Sequence, residues 1–125
     1  MLQDEPIVAT IPATDINRAK SFYTDKLGLR LTEERDEGLF FDCGSGTQML
    51  VFPSSGASSG AYTQASWDVK NVDAEITALR SRGVKFEEYD TPNFKTVNGI
   101  AEIPGGRGGW FKDSEGNLLA VFQRN

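Results

Sequence analysis

The first half of the chain has apolar positions spaced as in a strand, then as in a helix, then as in three further strands. Residues 5–12 are apolar and rich in β-branched side chains, which predicts a strand. Thr14 or Asp15 can cap the helix that follows, and Gly28 is a typical helix stop. An apolar stripe at helical spacing lies between these signals and comprises Ile16, Ala19, Phe22, Tyr23 and Leu27. The three short strands are predicted at residues 29–34, 38–43 and 48–52.

The second half repeats this order. A strand is predicted at 62–69 and a helix at 71–83; the later strands are predicted at 84–88, 100–103 and in a final hairpin over 110–123. Phe41 and Phe52 recur 70 positions later as Phe111 and Phe122. Such a repeat is typical of duplicated supersecondary units.

One domain over residues 1–125 is therefore expected, with module one at about 5–53 and module two at about 61–124. The Ser- and Gly-rich residues 54–60 are predicted to form the linker between the modules. The glycine-rich residues 105–109 are predicted to form a flexible loop.

Composition excludes several kinds of chemistry. The chain has no His, so a Ser-His-Asp triad, an imidazole base and a His-ligated metal site are excluded. Its single Cys, Cys43, excludes an intramolecular disulfide and fits a cytoplasmic location. The formal charge of −5 is the wrong sign for a general nucleic-acid binder, and no apolar run approaches the length of a membrane span.

Two segments resemble the vicinal-oxygen-chelate superfamily, which includes glyoxalase I, extradiol dioxygenases, fosfomycin-resistance enzymes and bleomycin-binding resistance proteins. They are the D-x-x-x-A-x-x-F-Y-x-x-x-L-G-L pattern over 15–29 and the F-x-D-x-x-G-N-x-x-x-x-x-Q pattern over 111–123. The resemblance implies an α+β fold in which two paired βαβββ modules form a cupped mixed sheet. It also implies a homodimer.

The resemblance further implies where a metal would bind. Catalytic family members hold a divalent metal through four side chains, usually His and Glu, and the corresponding positions here are Val8, Gln64, Ala120 and Leu50, or Met49 if the hairpin slips by one residue. Only Gln64 offers an oxygen donor, and one neutral oxygen does not hold such a metal. We therefore expect no metal and no cofactor.

Strand alternation predicts a mainly apolar concave face with a few hydroxyl and amide groups. The candidate ligand-binding residues are Thr10, Leu50, Phe52, Gln64, Ser66, Phe94, Trp110, Ala120 and Phe122. Such a lining suits a medium-sized organic ligand. By the same alternation, Trp67 is predicted to face a helix.

Three functions fit these features. The leading hypothesis is a metal-independent protein that binds and sequesters a small organic molecule, of the resistance type, with the acidic charge favouring cationic or neutral ligands. An alternative is a metal-free isomerase- or lyase-like enzyme that uses Asp68 or Glu102 as its base. A second alternative is a regulatory or scaffold dimer without catalysis.

Overall fold

The computed structural model of the protein describes residues 1–125 and contains two four-stranded sheets, each with one α-helix. The first sheet has the order β1-β4-β3-β2. Its elements are β1 (Ala9–Ala13), α1 (Ile16–Ser21), β2 (Arg30–Arg35), β3 (Gly38–Asp42) and β4 (Gln48–Pro53). β1 and β4 are parallel, whereas β4, β3 and β2 are antiparallel neighbours.

The second sheet repeats this topology, with the order β5-β10-β9-β8. Its elements are β5 (Thr63–Asp68), α2 (Val72–Ser81), β8 (Ala101–Ile103), β9 (Gly106–Lys112) and β10 (Leu118–Arg124), and a small hairpin of β6 (Asp90–Thr91) and β7 (Phe94–Lys95) precedes β8. The predicted α+β fold of two βαβββ modules is thus confirmed. Neither helix has the length and apolar character needed to cross a membrane.

Both helices begin and end where the sequence signals them. The side chain of Asp15 accepts a hydrogen bond from the Arg18 N–H, and that of Asn71 accepts one from the Ala74 N–H. After α1, residues Phe22–Lys26 form a turn of π-helix. The chain then turns at Gly28, whose φ of +69° is a left-handed conformation that favours glycine.

Two sequence predictions in the second module are wrong. Residues 84–88 form no regular strand; Phe86 makes only an isolated bridge to Phe111. Residues 105–109 are not a flexible loop, because four of them belong to β9 and pair with β10. Glycine is needed there for packing: a Cβ at Gly108 would lie 2.8 Å from the Phe122 ring, and one at Gly109 would lie 2.8 Å from the Ile76 side chain.

The two modules share one hydrophobic core on the helix side of the sheets. It contains alternate residues of the central strands, such as Ile11, Val51, Leu119 and Val121. Met49 also belongs to this core and is 2% exposed, so the one-residue slip that would bring it to the other face does not occur. The register is fixed because a slip would move the whole apolar set to solvent.

A polar clamp joins the β9–β10 turn to the start of the first module, and we define it as Thr14, Arg18, Tyr23, Asp113, Glu115 and Asn117. The Glu115 carboxylate accepts hydrogen bonds from the guanidinium of Arg18 at 2.7 and 3.0 Å and from the backbone N–H of Asp15 at 2.9 Å. Asn117 donates to the Pro12 carbonyl. These contacts fix the second module against the first, about a hundred residues earlier in the chain.

Replacing Tyr23 with Phe is expected to lower the free energy of unfolding by about 1–2 kcal/mol. The fully buried Tyr23 hydroxyl donates to the Asp113 carboxylate at 2.5 Å, so the change removes one buried donor without removing the ring. Urea denaturation measures the loss. Tyr62→Phe is the matched control, because Tyr62 is 79% exposed and its change should have little effect. Equal stabilities of Tyr23→Phe and wild type would contradict a stabilising role for the Tyr23–Asp113 hydrogen bond.

Candidate functional site

Each sheet has a face turned away from its helix, which we call the open face. In the first sheet, Thr10, Leu50 and Phe40 form a row across three neighbouring strands of this face. Leu50 and Phe40 are only partly buried, although both are large and apolar. Phe52 lies beside this row, level with Pro12 on β1. The centre of the first open face is therefore apolar, with the Thr10 hydroxyl as its one polar side-chain group.

The second sheet has the equivalent row, formed by Ser66, Ala120 and Trp110. The Phe122 ring lies over Gly108 on the neighbouring strand, in a space that a side chain at 108 would fill. Trp110 and Phe122 are partly buried, whereas Ala120 is 4% exposed. The centre of this open face is likewise apolar, with the Ser66 hydroxyl in the same row.

The two open faces correspond position by position. Phe40 and Trp110 are separated by 70 positions, as are Phe52 and Phe122, and each pair occupies the same strand of its module. Each module therefore presents two aromatic side chains from its two central antiparallel strands. The 70-position repeat therefore places aromatic side chains at equivalent positions of the two open faces.

Three aromatic side chains meet at the edge of the second open face, and we call Tyr89, Phe94 and Trp110 the aromatic corner. The Phe94 and Trp110 ring centroids are 5.2 Å apart at an interplanar angle of 76°, and the Tyr89 and Phe94 centroids are 5.3 Å apart. The edge-to-face geometry of Phe94 and Trp110 is favourable for aromatic pairs. The indole Nε1 of Trp110 donates to the Thr63 hydroxyl at 3.2 Å, which places the indole over Leu118 and Ala120 on the intervening strand.

Hydrogen bonds to the Glu88 side chain hold the segment that carries Tyr89 and Phe94. The Glu88 carboxylate accepts from the Thr96 hydroxyl and from the Gly99 N–H, both at 2.7 Å. These two donors hold the pKa of Glu88 below its usual value, with the Thr96 hydroxyl as the larger cause. The aromatic corner is thus supported by a hydrogen-bonded turn, and its three residues are partly buried.

The four positions that the resemblance assigns to a metal offer one side-chain donor between them. Val8, Leu50 and Ala120 have no donor atom, and Ala120 lies beneath the Trp110 indole. Gln64 is the extra residue of a β-bulge, and its side-chain oxygen accepts from the Ser58 hydroxyl at 2.7 Å. Nowhere do three His, Cys, Asp or Glu side chains come together in a group that could hold a metal ion.

The two candidate bases lie in different places. Asp68 is on the second open face, but its side chain is 64% exposed and pairs with Arg124 at 3.0 Å. Glu102 is on the helix side with Arg107, whose guanidinium bridges Glu102 and Asp73. Neither carboxylate is desolvated in the single chain, and the two do not share a face.

Polar groups mark the far end of the first open face. The Arg30 guanidinium donates to the Asp42 carboxylate at 2.6 Å and, as the larger cause, holds the pKa of Asp42 below its usual value; Gln48 donates to the same carboxylate. Cys43 is half-buried nearby, and burial raises the pKa of its thiol. A raised thiol pKa disfavours the reactive thiolate form.

Three residues of the open faces are absent from the sequence-derived candidates. Phe40 alternates with the buried Phe41, and that signal was sufficient to place it on the open face. Thr63 reaches the indole of Trp110 only because of the bulge at Gln64, which no turn residue marks. Tyr89 joins Trp110 through a segment without periodicity, so its position depends on tertiary packing.

A model of the family described as the Glyoxalase/Bleomycin resistance protein/Dioxygenase superfamily matches residues 7–121. No curated protein matches the chain in sequence. Among solved structures, TnmS3, an antibiotic binding protein from Streptomyces sp. CB03234, is 23% identical with a TM-score of 0.73 and covers 100% of this chain and 99% of its own.

Two further structures extend this comparison. A superfamily member from Sphaerobacter thermophilus DSM 20745 is 24% identical with a TM-score of 0.74, over 99% of this chain and 100% of its own. The fosfomycin resistance protein FosX from Listeria monocytogenes is 15% identical with a TM-score of 0.70, and the match covers 98% of this chain and 94% of its own. At these identities the likeness concerns the fold.

Proposed function

The chain belongs to the Glyoxalase/Bleomycin resistance protein/Dioxygenase superfamily, and on this premise we propose that it binds and sequesters a medium-sized organic molecule without a metal. The observation that carries the proposal is the pair of open faces, where large aromatic side chains remain partly exposed. Soluble proteins rarely leave contiguous apolar surface of this kind without a binding partner. Apolar walls with a few fixed polar groups are typical of small-molecule sites.

The aromatic corner supports a ligand with a planar, unsaturated portion. Phe94 and Trp110 meet edge to face, so the exposed surface of each ring is available for stacking. Thr10, Thr63 and Ser66 provide hydroxyl groups that would orient the polar part of the ligand. The formal charge of −5 favours a cationic or neutral ligand over an anionic one.

Binding without a metal is supported by the side chains at the four positions where the family resemblance would place metal ligands. Three of the four family positions have aliphatic side chains, and the fourth, Gln64, already accepts a hydrogen bond from Ser58. At the third aliphatic position, Ala120 is 4% exposed and lies opposite Trp110 on the neighbouring strand. Affinity would then come from apolar contact and stacking.

The enzyme alternative has less support. A general base needs a matched pKa and usually a second group that acts as acid or stabilises charge. Asp68 pairs with Arg124 in solvent, and Glu102 lies on the helix side with Arg107. The scaffold alternative does not account for the aromatic corner.

A homodimer is part of the proposal. In the single chain, Phe40, Leu50 and Phe52 stay partly exposed on one open face, and Trp110 and Phe122 stay partly exposed on the other. A second copy that placed its open face opposite would enclose a ligand between two such surfaces. Light scattering coupled to size exclusion tests the stoichiometry.

A thermal-shift screen in EDTA tests the function. Bleomycin and planar aromatic cations such as proflavine are expected to raise the melting temperature by roughly 10 °C at a hundredfold excess over Kd, since such an excess stabilises by about 2.7 kcal/mol. Benzenesulfonate serves as the anionic aromatic control, and a smaller shift is expected for it. Elemental analysis of the native protein is expected to find no stoichiometric transition metal.

Three results would count against the proposal. A shift that disappears in EDTA, or a stoichiometric metal in the native protein, would contradict metal-independent binding. The absence of any shift across the panel would favour the scaffold alternative. Turnover of a bound compound that Asp68→Asn abolishes, with binding retained, would favour the enzyme.

A further inference from the structure

A cavity of about 200 Å³ lies on the helix side of the sheets, where the two modules meet. Leu27 and Leu29 of the first module form one wall, and Trp67, Val69, Leu79 and Phe111 of the second module form the others. This cavity is separate from the open faces, because Trp67 and Phe111 alternate along their strands with open-face residues. An engineered apolar cavity of about 150 Å³ holds benzene, so one aromatic ring fits a space of this size.

The inner wall of the cavity is aromatic. The rings of Trp67 and Phe111 stack with centroids 6.4 Å apart and an interplanar angle of 16°. Phe111 is 1% exposed, whereas Trp67 is only partly buried. An entering ring would therefore contact a stacked aromatic pair and the side chains of Leu27 and Leu29.

The mouth of the cavity is acidic. Glu75 lies one helical turn before Leu79 on α2 and lines the same cavity. Glu75 forms no salt bridge. Asp68 also borders the cavity at the end of β5, but its carboxylate pairs with Arg124 on the open face. A ligand that carries a positive charge at one end would place it beside the unpaired Glu75.

The wall from the first module is held in place. Gly28 stands between Leu27 and Leu29 with a φ of +69°, and the Arg82 guanidinium at the end of α2 packs against it. The φ of +69° is what requires glycine at this position, since the Arg82 guanidinium is the flexible end of an exposed side chain. The cavity is thus formed before a ligand arrives, which reduces the cost of ordering it.

We propose that this cavity is a second binding site, which takes a small ligand with one aromatic ring and an ammonium group. The ring lies between the Trp67–Phe111 pair and the leucines, and the ammonium group lies beside Glu75. The proposal is independent of ligand binding at the open faces.

Fluorescence of a Trp110→Phe variant tests the site, because Trp67 is then the only tryptophan. Titration with benzylamine is expected to change Trp67 emission saturably, with a Kd on the order of 1 mM. Adding Val69→Phe fills the cavity and should abolish the change. Val97→Phe is the matched control, because Val97 is 65% exposed and lies outside this cavity. Adding Glu75→Gln should weaken benzylamine binding about threefold and leave binding of the neutral benzyl alcohol unchanged.

Two further variants and NMR spectra show whether benzylamine binds in this cavity or elsewhere. If Val69→Phe does not fold, Leu29→Phe fills the cavity from the other module, and amide shifts of Leu27, Val69 and Leu79 in NMR spectra locate the ligand directly. The absence of a saturable change in a folded Trp110→Phe variant would overturn the proposal. A response that survives both filling substitutions would place benzylamine elsewhere and overturn it too.

Discussion

Replacing Glu115 with Ala is expected to lower the free energy of unfolding by about 2–3 kcal/mol. The Glu115 side chain is 1% exposed and accepts from Arg18, the Asp15 N–H and Ser114. The substitution leaves the Asp15 N–H without its partner and the β9–β10 turn without its link to α1. The Arg18 side chain is 54% exposed, so water will solvate it and limit the loss. Thermal unfolding should show a midpoint about 8–12 °C lower.

The pH dependence of the free energy of unfolding shows whether the ionised Glu115 carboxylate causes this loss. Hydrogen bonds from Arg18 are the main reason that the pKa of Glu115 is about 2 rather than 4.5. A carboxyl with a depressed folded-state pKa stabilises the fold above its unfolded pKa, and this stabilisation is lost as the pH falls towards about 2. The stability difference between wild type and Glu115→Gln should therefore be full above pH 4.5 and shrink below it.

Glu34→Ala is the matched control for the clamp. Glu34 pairs with Lys20 at 2.9 Å, but both side chains are exposed, so its removal should leave the midpoint nearly unchanged. Equal effects of Glu34→Ala and Glu115→Ala would contradict a special role for the clamp. So would a difference between Glu115→Gln and wild type that persists undiminished near pH 2.

The elements that the sequence predicted well depend on local rules. Asp15 and Asn71 cap their helices through hydrogen bonds within three residues, and the alternation of Met49, Leu50 and Val51 places the correct residues in the core. The 70-position repeat relates Phe52 to Phe122 on equivalent strands. Each of these features can be read within one element or one module.

The features that the sequence did not predict depend on contacts between distant elements. The glycines of β9 are typical of a loop by composition, yet they form a strand because Phe122 and Ile76 occupy the space of their missing side chains. Glu115 bonds to Arg18 across 97 positions. Asp68 pairs with Arg124 in a solvent-exposed ion pair, and the bulge at Gln64 brings Thr63 to the indole of Trp110.

Replacing Trp110 with Ala is expected to weaken binding of proflavine at the open faces by about 30-fold, which corresponds to about 2 kcal/mol. The indole covers Leu118 and Ala120 and forms one side of the aromatic corner, so its loss removes both a stacking surface and the support of Phe94. Fluorescence anisotropy of proflavine in EDTA measures the change.

Trp67→Phe provides the control, because the two tryptophans lie on opposite faces of the same sheet. Trp67 packs on Phe111 on the helix side, so its replacement should change proflavine affinity less than twofold while both variants remain folded by circular dichroism. An equal weakening by both substitutions would indicate a general loss of structure rather than a site at Trp110. Unchanged affinity in Trp110→Ala would remove the aromatic corner from the ligand site and with it the main support for stacking as the source of affinity.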